Sequence, residues 1–77
     1  MQVKDYPVIL QQDVSGGYIV SCLAFQGCYS QGDTIEEALN NIKEAIELCI
    51  DELIDEGLEI PIPQDLVLKK VAIQYDA

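Results

Sequence analysis

Glu44, Glu47, Asp51 and Asp55 are spaced 3, 4 and 4 residues apart. On a helix this spacing lines four carboxylates along one stripe. Glu52 and Glu56 add negative charge at the same end. Carboxylates near a helix C-terminus oppose its dipole, and like charges four apart repel by about a few tenths of a kcal/mol. Only Lys43 is close enough in sequence to compensate. A solvated helix face accounts for such a run. So does a docking surface for a cationic partner, where desolvated acid–base pairs set register and speed association. Glu44, Glu47, Asp51 and Asp55 are therefore the candidate partner-binding residues.

Catalytic chemistry finds less support. The chain has no histidine to act as a base for Ser21, Ser30 or a cysteine. Cys22, Cys28 and Cys49 are odd in number, at no metal spacing. They read as small buried hydrophobes in a reducing compartment, with a Cys22–Cys28 bridge across neighbouring strands as the alternative. Gly16-Gly17 and Gly27 are isolated turn signals, not a phosphate loop. These observations point to a non-enzyme with no metal and no cofactor.

The formal net charge is −10, from 14 acidic and 4 basic residues. Phosphate binding needs clustered Lys and Arg, and only Lys69-Lys70 are adjacent, so nucleic acid is a poor partner. Acidity suits a basic protein partner, or solubility alone. No apolar run reaches the roughly 20 residues that cross a bilayer. Met1 to Tyr6 lacks the apolar core of a signal peptide, so a cytoplasmic location is expected.

The elements that must position these residues are legible in outline. Seventy-seven residues allow one domain, 1–77. A chain this short buries only about 60% of its unfolded surface, so its core is marginal alone. Tyr6–Gln12, Tyr18–Ala24 and Gly27–Gln31 read as three strands joined by short turns, hence an antiparallel meander. Thr34 and Glu37 form a capping box. Behind it, Ile35, Ala38, Leu39, Ile42, Ala45, Ile46, Cys49 and Leu53 follow a helical period to about Glu56. Gly57 is a natural stop in the left-handed conformation. Leu58–Leu66, with Pro61 and Pro63, is extended. Leu68–Tyr75 reads as strand four, with Val71, Ile73 and Tyr75 on one face. The order is β-β-β-α-β, an α+β chain with one long helix on one face of the sheet. A helix crossover makes strand four parallel to strand three if they share a sheet.

In this order and spacing the pieces resemble the HicB family of bacterial and archaeal antitoxins. The resemblance rests on Tyr6-Pro7, Gly16-Gly17-Tyr18, Gly27-Cys28, Gly32-Asp33-Thr34, Glu36-Glu37-Ala38-Leu39 and the run from Gly57 to Pro63, and covers most of the chain. Gln26 stands where a proline is common before Gly27. The resemblance implies a truncated RNase H-like sheet of strand order 3-2-1-4. It also implies an antitoxin that inhibits a small basic HicA-type toxin, an mRNA interferase with a catalytic histidine. Longer members append a DNA-binding domain; this chain resembles the short form. An RNase H-like sheet would suit a two-metal carboxylate site. Yet strands one, two and four hold no Asp or Glu in their interiors, and Asp5, Asp13 and Asp33 sit at turn and cap positions.

The sheet has apolar residues on both faces. Tyr18, Val20, Cys22 and Ala24 share one face, with Ile19 and Leu23 opposite; Val8 and Leu10 lie opposite Ile9. One helix covers one face. Another subunit or a partner should cover the rest, so a dimer or tetramer is expected. The alternative function is an orphan homo-oligomer with a regulatory or scaffold role.

Overall fold

The computed structural model describes residues 3–76. Three strands and one helix follow in chain order: β1 (Ile9–Gln12), β2 (Tyr18–Ser21), β3 (Tyr29–Gly32) and α1 (Ile35–Asp55). The sheet is antiparallel with order β1-β2-β3. Ile9 pairs with Ser21 and Gln12 with Tyr18; Tyr18 then pairs with Gly32 and Ser21 with Tyr29. The first turn is closed by Asp13 N–H donating to the Gly17 carbonyl and Gly16 N–H to that of Asp13, both at 3.0 Å. Ser15 Oγ donates to the Asp13 carboxylate at 2.9 Å, so Asp13 is a turn residue here.

Strands one and two are shorter than expected. Beyond Ser21 the chain turns: Cys22 N–H donates to the Cys28 carbonyl at 3.0 Å and Phe25 N–H to that of Cys22 at 3.3 Å. The turn consumes Leu23 and Ala24, and removes the partners that Tyr6–Val8 would have needed.

The helix starts where the capping residues place it. Thr34 is extended, and its Oγ1 accepts from Glu37 N–H at 3.1 Å. Glu56 is the C-cap, and Gly57 has φ 71°. Leu58 N–H donates to the Leu53 carbonyl at 2.9 Å and Gly57 N–H to that of Ile54 at 3.1 Å, the paired bonds of a Schellman ending.

The core forms between the sheet and one helix face. Val20, Cys22, Phe25, Cys28, Ala38 and Ile42 are buried, with Val8, Leu10, Tyr18, Ala45, Ile46, Cys49 and Leu53 partly buried around them. The alternation of strand two is as the sequence reads: Val20 and Cys22 lie under the helix, and Leu23 is 64% exposed. Gly32 lets the helix approach. A Cβ there would overlap the Ala38 backbone nitrogen and sit 2.8 Å from Glu37 C and 2.9 Å from Ala38 Cα. Asn41 Nδ2 adds a bond to the Gln31 carbonyl at 2.7 Å.

The fourth strand and the order 3-2-1-4 do not form. Residues 58–76 adopt no helix, turn or strand. Leu68–Tyr75 carries a strand pattern, but a strand exists only against a neighbour, and here it pairs with none of this chain's strands.

Candidate partner-binding surfaces

The helix sets the acidic stripe. Taking about 100° per residue, Ala38, Ile42, Ala45, Ile46, Cys49 and Leu53 cluster on the sheet-facing side, where they pack against the core. Glu44, Glu47, Asp51 and Asp55 fall about 180° away. All four are exposed, and no basic residue occupies the last turn. The stripe is therefore a single ridge of negative charge on the side of the helix farthest from the sheet.

A second surface escaped the sequence reading. The leading segment Val3–Val8 and the helix flank bound a groove of about 800 Å³. Its lining is largely apolar: Val3, Tyr6, Val8, Leu39, Ile46, Ile50, Ile54 and Ile60 contribute, with Lys4, Asp5, Lys43 and Glu47 at its margins. Ile54 and Leu39 were legible as helix residues, but their exposure of 58% and 40% was not. The groove lies along the segment that leads into β1, and none of Ile9–Gln12 lines it.

Phe25, the chain's single phenylalanine, is also outside the expected elements. It sits in the β2–β3 turn and is buried, with the Tyr6 ring tilted against it at 5.1 Å. Tyr6 Oη in turn donates to the Pro61 carbonyl at 2.6 Å. One aromatic pair thus ties the turn, the leading segment and the chain after the helix together.

The cysteines are free thiols, Cys22 and Cys28 buried and Cys49 half-buried. Burial pushes the Cys28 thiol up from its ordinary 9.0 to about 11, helped by a hydrogen bond with Cys49 and by the neighbouring Cys49 and Cys22. A thiol so raised is a poor nucleophile at neutral pH. Between pH 9 and 11 the folded chain keeps a proton that the unfolded chain releases. This contribution to stability is complete below pH 9 and is lost as pH rises through about 11. Urea titrations between about pH 8 and pH 10.5 should show stability falling, with a shallower fall in Cys28→Ala.

Among the described residues no three His, Cys, Asp or Glu side chains converge to hold a metal ion, and no helix is long and apolar enough to cross a membrane. The paired segments of the strands, Ile-Leu-Gln-Gln, Tyr-Ile-Val-Ser and Tyr-Ser-Gln-Gly, contain no carboxylate.

Comparison with known proteins agrees with this frame. Residues 6–76 match the family model described as the HicB-like antitoxin of bacterial toxin–antitoxin systems. The UPF0150 protein ssr1765 of Synechocystis is 47% identical over 72 residues, covering 94% of this chain and 90% of that protein. A UPF0150 protein of Thermoplasma acidophilum, Ta0767, is 46% identical over 56 residues, 73% of this chain and 81% of its own. The antitoxin HicB of Escherichia coli K12 is 34% identical over 61 residues, 79% of this chain but only 44% of that longer protein. The match to the family model spans all three strands, the helix and the tail, and on that extent this chain belongs to the HicB-like antitoxin family.

Proposed function

We propose that this protein is an antitoxin that binds and inhibits a small basic HicA-type mRNA interferase. It acts in the cytoplasm, as a dimer or tetramer, and without catalysis, cofactor, metal or direct contact with nucleic acid. The family match over residues 6–76 carries this reading. Charge supports it: a chain of net charge −10 complements a protein built to hold RNA. The exposed ridge of Glu44, Glu47, Asp51 and Asp55 is the part of the surface offered to that cation. A ridge of like charge at the negative end of a helix costs stability alone, and a facing cation removes that cost.

The test is whether this chain inhibits RNA cleavage by a purified small basic HicA-type toxin. Complete inhibition at a fixed molar ratio is expected; undiminished cleavage with excess chain sinks the reading. The double reversal Asp51→Lys and Asp55→Lys should slow association about tenfold at low salt and flatten its salt dependence, while the helical circular dichroism stays unchanged. An unchanged association rate would remove the ridge from the interface and leave the antitoxin role standing.

A further inference from the structure

The chain is too large in outline for its length. Its radius of gyration is 15.2 Å, against about 11.5 Å for a compact chain of this size. Its accessible surface is 6806 Å², against about 4,650 Å² for a compact monomer of its mass. The excess comes from residues beyond the helix. Val71, Ile73 and Tyr75 are each more than 70% exposed, although they alternate onto one face of the expected strand. Beyond Pro61 the tail backbone makes no hydrogen bond among the described residues.

The missing half of this strand's environment is present elsewhere. The outer edge of β1 has no neighbour, and the apolar groove along Val3–Val8, the segment that leads into β1, lies open. The chain's own tail does not turn into it. Ile60 is the last tail residue on the groove, and Pro61, Ile62, Gln64 and Leu66 pass along Pro7, Leu23 and Ala24 instead. Tyr6 clips that exit at Pro61, and Pro61 and Pro63 stiffen it. Tail and groove in one chain are therefore complementary and apart.

We propose that Leu66–Tyr75 of one copy adds to the β1 edge of a second copy and fills its groove, and that the exchange is reciprocal. This deepens the self-association put forward above and does not depend on a toxin. Area supports a second copy as the occupant. Removing the excess from two chains buries on the order of 4,000 Å², within the range of permanent dimers. Charge does not oppose it: the groove margin is balanced, Asp5 and Glu47 against Lys4 and Lys43, and no acidic residue lies between Leu66 and Tyr75. A two-fold exchange closes on itself and leaves no tail unpaired, so it stops at the dimer.

The experiment mixes isotope-labelled and unlabelled full-length chains, refolds them together, and reads mass by sedimentation and contacts by isotope-filtered NOEs. The expected result is a particle of twice the 8.5 kDa chain mass, with intermolecular NOEs from Val71, Ile73 and Tyr75 to Val3, Val8, Leu39 and Ile50. The variant Val71→Glu with Ile73→Glu should weaken the dimer by about a hundredfold or more, since two carboxylates would enter an apolar groove. These positions are exposed in the single chain, so its helical signal should persist. A monomer, whether its tail is loose or folded onto its own β1, overturns the proposal. So does a dimer whose NOEs lie elsewhere, or one indifferent to the double variant. None of these results is read in RNA cleavage, so they leave the antitoxin assay independent.

Discussion

Gly32→Ala is expected to lower the unfolding free energy by about 3 kcal/mol, the upper end of what overpacking usually costs. The reason is that a methyl at this position meets backbone, not a movable side chain. Its neighbours are Ala38 N, Glu37 C and Ala38 Cα, which belong to a helix turn held by the Thr34 cap. To make room, the helix must lift from β3, and the lift propagates to Ala38 and Ile42, both essentially fully buried. A domain of this size has roughly 4 to 12 kcal/mol of stability, so the loss is a large share. Urea unfolding followed by circular dichroism measures it. Gln31→Ala, one residue earlier and outward-facing, should stay within about 0.5 kcal/mol. A Gly32→Ala midpoint equal to wild type would show that helix and sheet are not in backbone contact.

Phe25→Ala should cost about 3 to 5 kcal/mol, as expected for a buried aromatic. Phe25 is 6% exposed and lies under no regular element. Its burial instead joins the β2–β3 turn to Tyr6, and through Tyr6 Oη to Pro61. The loss therefore extends beyond a cavity: the exit path of the tail loses its clip. Phe25→Leu keeps most of the volume and should cost about 1.5 kcal/mol or less. Equal unfolding midpoints for the alanine and leucine variants would place Phe25 outside the core.

The sequence made some of this legible and hid the rest for identifiable reasons. Thr34, Glu37 and Gly57 bracket the helix because caps act locally, and the observed helix Ile35–Asp55 ends one residue short of the expected Glu56. Tyr18, Val20 and Cys22 announce their face because strand alternation is also local. Phe25 was not legible as a core anchor, because a turn has no periodicity to mark its inward residue. Its only signal is that a lone large aromatic seldom stays in water. Leu68–Tyr75 reads as a strand from pattern alone, but pattern carries no information on which chain supplies its partner. The groove was hidden for the same reason: it is made by Val3–Val8 and the helix, distant in sequence. The acidic ridge was legible as a stripe, since helical spacing fixes it. What meets it is set by another molecule.

The buried residues Val20, Cys22, Phe25, Cys28, Ala38 and Ile42 all fall within one short stretch of chain. Strand neighbours in space are also neighbours in sequence. Few large loops must close before the core forms, which favours rapid folding. None of these buried residues lies in Leu68–Tyr75, so the body closes from contacts that do not involve that segment. Tail pairing as proposed is then a second step, set by the concentration of chains and not by how fast each body closes.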